Sequence, residues 1–301
     1  MAKIGIIGSG VVGQATGKGF AAKGHDVVFC DINRSVLDSL NMAGYDACVP
    51  EEFAAERGFD AFFLAIYTPT QKGRICLDHL LSGVEQLAQG PLRNNGKYCI
   101  VVTRCTLPPG TTENVIVPVL EEYSGKKAGR DFGVCFNPEY LRENRNEHDF
   151  LNPWIVTIGS IDQRSEDLLT VIYGDIACPI ATLSVAEAEA QKYVHNIFNA
   201  CKISFFNEMR MALEGLGMDV DAVFRVVAQS AEASWNPDYG IRNAGAFGGA
   251  CLPKDTLAFL DWAEQNMKTD MPLLKAAIEV NKTMISRNGG FAHLAEKEKV
   301  Y

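Results

Sequence analysis

Short apolar segments alternate with amphipathic stretches over about the first 180 residues of the chain. Six segments are apolar almost throughout, as is typical of strands covered on both faces: Lys3–Ile7, Val27–Asp31, Ala61–Ile66, Tyr98–Thr103, Phe132–Phe136 and Trp154–Gly159. The stretches between them, such as Val11–Lys23 and Thr112–Tyr123, have the spacing of helices. This alternation predicts right-handed βαβ crossovers and an α/β fold with a doubly wound, mostly parallel sheet.

The pattern changes near Ser184, which forms a capping-box spacing with Glu187. A long helix without Gly or Pro is predicted from Val185 to Glu214. Three further helices are predicted, with a Gly/Pro-rich loop over residues 231–253: Asp219–Gln229, Lys254–Asn266 and Met271–Ser286. We therefore predict a first domain over residues 1–183 and an all-helical domain over residues 184–301.

The composition is that of an ordinary globular protein, with 47% apolar and 22% charged residues. The 28 basic residues are outnumbered by 37 acidic ones, which argues against a general binder of nucleic acid or of anionic membranes. The apolar start is short and broken by glycine, so we expect neither a secretory signal nor a membrane span. Nine cysteines without a metal-ligand spacing favour a reducing, cytoplasmic compartment and predict no metal site.

A glycine-rich segment follows the first predicted strand and opens the first predicted helix. Gly8, Gly10 and Gly13 have the GxGxxG spacing, with Val11 and Val12 between them at the start of the helix. In this context the glycines permit a tight turn, close approach of a pyrophosphate, and close packing of helix on strand. Asp31, which ends the next strand, is placed to accept hydrogen bonds from a ribose and to repel a 2′-phosphate. The segment predicts a Rossmann-like domain that binds NAD in preference to NADP.

Cys251 lies in a segment that runs from Phe247 and Gly248 to Lys254 and Asp255. A thiol that stands near a helix N-terminus and a lysine is readily deprotonated and can act as a nucleophile. A buried, inert cysteine explains the same spacing.

Polar residues on the long helix and after two of the strands form a second candidate set. Lys192 and Asn196 are four apart and share a helix face, where they can stabilise an oxyanion or belong to a solvated surface. Glu139 and Glu143 follow the strand that ends at Phe136; they can act as an acid/base pair or lie in a charged loop. Thr106 precedes a rigid Pro-Pro-Gly turn and can present its hydroxyl to a cleft.

Taken in order, these segments resemble the UDP-glucose/GDP-mannose dehydrogenase family. The resemblance runs from Gly8–Gly13 through Thr68-Pro69, Thr106–Thr112, Asn137–Glu143, Lys192/Asn196 and Asn207-Glu208 to Phe247–Asp255, and it covers the chain to about Asn281. It implies a homodimer formed through the helical domain. It also implies oxidation of the primary alcohol of a nucleotide sugar to a carboxylate, with two NAD molecules reduced.

The resemblance implies a role for each segment. Cys251 would add to the aldehyde formed by the first oxidation, and Lys192 with Asn196 would stabilise the thiohemiacetal oxygen. Glu139, Thr106 and Asp255 are candidates for positioning or activating the water that releases the acid. NAD would be bound by Gly8, Gly10, Val11, Val12, Gly13, Asp31, Thr68 and Thr106. The substrate would be bound by Glu139, Tyr140, Leu141, Glu143, Lys192, Asn196, Arg242, Phe247, Gly248 and Lys254.

The sequence also departs from the family pattern. Members usually continue into a further nucleotide-binding domain, so we expect either a naturally short form or a truncated chain. An arginine often stands sixteen residues before the cysteine, where this chain has Trp235, and Arg242 lies nine residues before Cys251 instead. Ile155 replaces an arginine and Cys105 replaces a serine. The reaction is therefore better supported than the nucleotide-sugar substrate.

Two other hypotheses remain open at this point. A β-hydroxyacid-type dehydrogenase would use the Lys192/Asn196 pair for one hydride transfer and would need no thiol. A catalytically silent protein would bind NAD and assemble through its helices. Apolar residues on more than one side of the long helix, such as Val194 and Phe198, favour oligomerisation, although packing within their own chain explains them as well.

Overall fold

The structure is a computed structural model of the 301-residue chain. It describes residues 1–55, 58–142, 144–174, 177–213, 217–230, 246–262, 264–265 and 270–287. By their internal contacts the residues divide into two compact units. The first comprises Met1–Gln71 and Ile75–Lys192, and the second comprises Lys72–Arg74 and Tyr193–Tyr301. The predicted domain boundary at residue 184 stays a prediction.

Within the described residues the strands, in chain order, are β1 (Lys3–Ile7), β2 (Asp26–Cys30), β3 (Asp46–Cys48), β4 (Ala61–Leu64), β5 (Thr70–Gln71), β6 (Arg74–Ile75), β7 (Ile100–Thr103), β8 (Gly133–Phe136), β9 (Val156–Ser160) and β10 (Ile180–Ser184). The α-helices are α1 (Val11–Ala22), α2 (Arg34–Met42), α3 (Pro50–Phe53), α4 (Asp78–Leu87), α5 (Val117–Ser124), α6 (Asn146–Leu151), α7 (Gln163–Tyr173), α8 (Val185–Leu213), α9 (Val220–Ser230), α10 (Leu252–Trp262) and α11 (Pro272–Arg287). π-Helical turns cover Ala88–Leu92 and Thr112–Ile116.

The first unit is built on an eight-stranded sheet with the order β10-β9-β8-β7-β4-β1-β2-β3. Neighbouring strands are parallel except β8 and β9, which pair antiparallel. The strand order reverses between β1 and β4, and sheets of this kind bind ligands at the carboxyl ends of the strands beside such a reversal. The predicted α/β class with a mostly parallel sheet is confirmed.

Alternate side chains of the strands enter two cores, one on each face of the sheet. On one face Phe62 and Leu64 of β4 belong to the cluster that contains Leu80 and Val84 of α4. On the other face Phe63 belongs to the cluster that contains Phe20 of α1. Because both faces are covered by helices, the strands need apolar residues at every position, as the sequence pattern predicts.

The long helix begins where the sequence predicts. The backbone N–H of Ser184 donates to Glu187 Oε2 over 2.9 Å, and the N–H of Glu187 donates back to Ser184 Oγ over 3.4 Å, which forms the predicted capping box. Among the described residues, no helix has the length and apolar character needed to cross a membrane.

Some elements differ from the prediction. The helix predicted over Thr112–Tyr123 starts as a π-helical turn, because Pro118 has no N–H to donate to the carbonyl four residues earlier. The strand β10 was not predicted, since it lies at the sheet edge and its residues are mostly half-buried, without a clear apolar pattern. The short strands β3, β5 and β6 were also not predicted, because two or three residues carry too little periodicity.

Candidate active site

The glycine loop between β1 and α1 has a different steric requirement at each glycine. Gly8 has φ +89°, a left-handed conformation that favours glycine. A Cβ on Gly13 would lie 1.9 Å from the carbonyl oxygen of Gly8, whereas a Cβ on Gly10 would meet no atom within 4 Å. Gly13 is therefore needed for the chain's own packing, while Gly10 leaves space open to a ligand.

The N-terminus of α1 is available to an anion. Gly10 is the N-cap residue and offers no side chain to the first N–H groups of the helix. Gly10 and Val11 are exposed, Val12 is half-buried, and helix N-termini of this kind bind phosphates through N–H groups and the positive end of the dipole.

Asp31 follows β2 and is held beside the glycine loop. Its Oδ2 accepts a hydrogen bond from the N–H of Ser9 over 2.6 Å, and its Oδ1 accepts one from the N–H of Asn33 over 2.8 Å. A cavity of about 300 Å³ opens next to this carboxylate. Its lining includes Gly8, Asp31, Ile32, Pro50, His79 and Gln86. The open glycine loop and the uncapped N-terminus of α1 fit the phosphates of NAD. The apolar cavity beside the Asp31 carboxylate, which its two hydrogen bonds hold in place, fits the adenosine.

Thr68 and Thr106, predicted separately as cofactor residues, lie together. They follow β4 and β7, and Thr68 Oγ1 donates to the carbonyl oxygen of Thr106 over 3.3 Å. The turn after Thr106 is rigid: Thr111 Oγ1 donates to the carbonyl oxygen of Pro108 over 2.6 Å, and Gly110 has φ +86°. Both threonines therefore lie at the carboxyl edge of the sheet.

Glu139 and Lys192 form a buried ion pair. Glu139 is 8% exposed and Lys192 is 3% exposed, and Lys192 Nζ lies 3.1 Å from Glu139 Oε1. The same ammonium donates to the carbonyl oxygen of Glu139, and the other carboxylate oxygen accepts from the N–H of Leu141 over 2.7 Å. The pair thus joins α8 to the loop that follows β8.

The contacts of Glu139 keep its carboxyl group ionised. Burial alone would raise the pKa of Glu139, but the charge of Lys192 and the hydrogen bonds from Leu141 and Lys192 outweigh burial and hold that pKa below its ordinary value. Glu139 is therefore a carboxylate at neutral pH, and it keeps an ammonium with donor capacity next to it.

Tyr140 packs its ring beneath the ammonium of Lys192, with Nζ 5.4 Å from the ring centroid. Its hydroxyl lies 2.7 Å from Thr157 Oγ1 and donates to Gln191 Oε1 over 2.6 Å. The hydroxyl of this predicted substrate residue is thus occupied within the chain.

In the second unit, Asn196 of α8 is hydrogen-bonded to the fully buried Asp255. Asn196 Nδ2 donates to Asp255 Oδ2, and Lys254 Nζ pairs with Asp255 Oδ1. Asp255 lies in the first turn of α10, so the N-terminus of that helix also favours its negative charge. Three residues predicted from two distant segments are brought together here.

Cys251 stands immediately before α10, and its carbonyl oxygen accepts the N–H of Asp255 over 2.8 Å. The side chain is half-buried. Upstream, Phe247 is 5% exposed and packs with Ala200 and Leu252, while its carbonyl oxygen accepts from Asn281 Nδ2 over 3.0 Å. Gly248 is half-buried in the turn that follows. The cysteine therefore occupies an anchored segment at a helix N-terminus.

Two predicted substrate residues, Glu143 and Arg242, lie outside the described residues, as does Trp235. Within the described residues, no group of three or more His, Cys, Asp and Glu side chains could hold a metal ion.

Several residues that build these sites were not predicted from the sequence. Gln191 and Thr157 fix the Tyr140 hydroxyl, and His79 and Gln86 line the cavity beside Asp31. His79 and Gln86 could have been indicated by the position of α4, the first helix after the central strand β4, because helices that follow central strands border the ligand crevice. No local signal marks Gln191 and Thr157, whose contacts depend on tertiary structure.

Most of the chain is similar to proteins of one known family. The NAD binding domain of the UDP-glucose/GDP-mannose dehydrogenase family matches residues 2–51 and 49–177, and the central domain of that family matches residues 186–283. The chain is 35% identical to GDP-mannose 6-dehydrogenase of Pseudomonas syringae pv. tomato, over 94% of this chain and 68% of that protein. It is 33% identical to a UDP-glucose 6-dehydrogenase of Haloferax volcanii, over 93% and 69%. A solved UDP-glucose dehydrogenase from Pyrobaculum islandicum superposes with a TM-score of 0.84 at 33% identity, covering 96% of this chain and 72% of that one.

Proposed function

The chain belongs to the UDP-glucose/GDP-mannose dehydrogenase family, and from that premise we propose that it oxidises the primary alcohol of a nucleotide sugar to a carboxylate through a thioester on Cys251. It is an NAD-dependent dehydrogenase of the UDP-glucose dehydrogenase type. The observation that carries the proposal is the placement of Cys251 at the start of α10, one turn before a buried Asp255 that is bonded to Asn196 and Lys254.

The cofactor would be held at the carboxyl edge of the sheet. The pyrophosphate would be bound by Gly8, Gly10, Val11, Val12 and Gly13, and the adenosine ribose by Asp31. Thr68 and Thr106 would bind the end of the cofactor opposite the adenosine. Bound NAD supplies the oxidising power by accepting one hydride in each of two successive oxidations.

Cys251 makes the second oxidation possible. An aldehyde carbon has no hydride to release until a nucleophile makes it tetrahedral, and the thiolate of Cys251 would do so by forming a carbon–sulfur bond. The resulting thiohemiacetal is oxidised to a thioester. Water then attacks the acyl carbon, the carbon–sulfur bond breaks, and the acid leaves with the thiol restored.

Lys192 and Asn196 would stabilise the negative oxygen of the tetrahedral species. The ion pair with Glu139 orients Lys192, and the hydrogen bond to Asp255 orients the amide of Asn196. Preorganised donors of this kind each contribute about 10²–10³-fold to the rate of an acyl-transfer step. Glu139, Thr106 and Asp255 are the candidates for positioning the hydrolytic water.

The substrate class follows from the relatives, which are named for GDP-mannose and UDP-glucose. Leu141 and Tyr140 would bind it through the loop after β8, and Phe247, Gly248 and Lys254 through the segment around Cys251. Glu143 and Arg242 complete the proposed set. A single oxidation without a thiol is not favoured, because the chain matches both family domains and keeps the cysteine segment.

The experiment is the ratio of NADH formed to alcohol consumed, measured with GDP-mannose, UDP-glucose and free sugars for the wild type and for Cys251→Ser. We expect two NADH per nucleotide sugar in the wild type, and loss of carboxylate formation in the variant. One NADH per substrate, unaffected by the substitution, would refute the thioester route.

The protein is further proposed to be a cytoplasmic homodimer. None of the nine cysteines, all within the described residues, forms a disulfide, and the cytoplasmic compartment is proposed on that ground.

The dimer is proposed from an exposed apolar pair. Val194 and Phe198 lie four residues apart on α8 and are 60% and 63% exposed, so that a second copy could cover them. Light scattering should give twice the mass of the chain, and Phe198→Glu should reduce it to the monomer value.

A further inference from the structure

Glu189 is a buried carboxylate for which the reaction proposed above has no direct use. It lies on α8, three residues before Lys192, and has no exposed surface. Among the described residues, no Lys, Arg or His side chain lies within 4.0 Å of it. An uncompensated buried charge is costly, so its surroundings must stabilise it in another way.

Two backbone donors provide that stabilisation. The N–H of Gly110 donates to Glu189 Oε2, and the N–H of Thr112 donates to Oε1 over 2.8 Å. Thr112 opens the helical segment that continues into α5, so these donors belong to a helix N-terminus whose first N–H groups have no partner within the helix. The carboxylate thus caps, from another element, the start of this segment.

The pKa of Glu189 is nevertheless raised above its ordinary value. Burial is the largest cause and the charge of Glu113 adds to it, while the hydrogen bonds from Thr112 and Gly110 oppose the rise only in part. The positive end of the helix dipole favours the charged form in the same direction as the hydrogen bonds.

The contact joins two elements that carry proposed active-site residues. The turn from Pro108 to Thr112 is held by the Thr111–Pro108 hydrogen bond, and Thr106 stands two residues before it, so fixing the end of the turn restricts the position of Thr106. On the other side, Glu189 and Lys192 lie one helical turn apart on the same helix. We propose that Glu189 is a positioning residue, whose carboxylate sets the place of Thr106 relative to Lys192.

This inference rests on the proposed function, since it assigns Glu189 to the geometry of that reaction. It is tested with Glu189→Gln, which replaces one acceptor oxygen by an NH₂ group, and with Glu189→Asp, which keeps the charge but is too short to reach both donors. The matched control is Glu187→Gln, two residues away on α8, where an exposed carboxylate bonds only to Ser184.

The first readout needs no turnover. Amide hydrogen exchange over residues 106–112 should accelerate in both Glu189 variants and stay at the wild-type rate in Glu187→Gln. The second readout is kinetic: kcat should fall on the order of 10²-fold, the effect of misplacing a reacting group by about 1 Å. The Kd of NAD should rise by much less, because Thr106 is one of eight residues proposed to bind the cofactor. If Glu189 had only a structural role, the variants would have a lower melting temperature, and kcat would not fall more than the affinity for NAD.

Unchanged exchange in the variants would overturn the inference, as would faster exchange with wild-type kcat. A wild-type protein that oxidises no nucleotide sugar would refute the proposed function instead, and the exchange data would then decide the link between Glu189 and the turn alone.

Discussion

The glycine loop and the Glu139–Lys192 pair are built on opposite physical principles. The loop works because side chains are missing: a Cβ on Gly13 would lie 1.9 Å from a backbone oxygen, and Gly10 faces open space. The ion pair works because two large side chains meet across 53 positions of sequence and shield each other from the cost of burial. One region is defined by local backbone geometry, and the other depends on the whole first unit being folded.

The two regions should therefore respond differently to substitution. Adding atoms should damage the glycine loop, whereas removing one charge should damage the ion pair by leaving the other charge buried. The two regions also have different tasks in the proposed reaction, since the loop binds NAD and the pair prepares an ammonium for the substrate oxygen.

The largest effect is expected from Lys192→Met. Without the ammonium, Glu139 is a buried carboxylate without its cation, which should lower the free energy of unfolding by about 3–5 kcal/mol. The loss of an oxyanion donor should lower kcat about 10²–10³-fold. Urea denaturation and steady-state kinetics measure the two effects.

The control for this variant is Lys127→Met, which breaks an exposed 2.7 Å pair with Glu121 and should cost at most about 1 kcal/mol. Equal stability losses in the two variants would contradict the expectation that breaking the Glu139–Lys192 pair is costly because the pair is buried.

A smaller effect is expected at the glycine loop, where Gly13→Ala and Gly10→Ala form a matched pair. Gly13→Ala forces the loop and α1 apart and should cost about 1–3 kcal/mol of stability, together with NAD affinity. Gly10→Ala should leave stability nearly unchanged but weaken NAD binding, because its Cβ enters the ligand's space. Thermal unfolding measures the stability of the two variants, and calorimetric titration measures their affinity for NAD. Equal losses of stability and of NAD affinity in both variants would contradict the proposed role of the glycine loop in binding NAD.

The smallest effect is a pH dependence of stability. The pKa of Glu139 lies below its ordinary value in the folded state, so the folded protein binds this proton less readily than the unfolded chain. The stabilisation is complete above about pH 4.5 and is lost as the pH falls from there through the lowered pKa. In Glu139→Gln the free energy of unfolding should fall less steeply below pH 4.5 than in the wild type. Parallel pH profiles would show that Glu139 does not titrate as its contacts require.

The parts of the fold that depend on local pattern were predictable from sequence. The central strands follow from unbroken apolar runs, and the start of α8 follows from Ser184 and Glu187, because both signals lie within a few residues. The antiparallel pairing of β8 with β9 and the edge strand β10 were not predictable in this way, since a weakly apolar edge strand is fixed by its neighbour rather than by its own residues.

The same division holds for the candidate site. The glycine loop was predictable because its geometry is local. Lys192, Asn196, Glu139 and Cys251 were candidates from their residue types and spacing, and the resemblance of their segments to one family favoured the functional interpretation. The partners of these residues were not predictable. Glu189 reaches a turn 77 residues away, and only the folded chain shows that its carboxylate accepts two backbone N–H groups.

The central claim is that the substrate becomes covalently attached to Cys251. The most direct test uses Glu139→Gln, because Glu139 is a candidate for positioning the water that hydrolyses the thioester. This variant is acid-quenched during turnover with NAD and a nucleotide sugar and analysed by peptide mass spectrometry, with Cys251→Ser processed in parallel. We predict that the peptide containing Cys251 gains the mass of the nucleotide-sugar acyl group and that the serine variant gains none. A Cys251 peptide of unchanged mass, with carboxylate still being formed, would contradict the account.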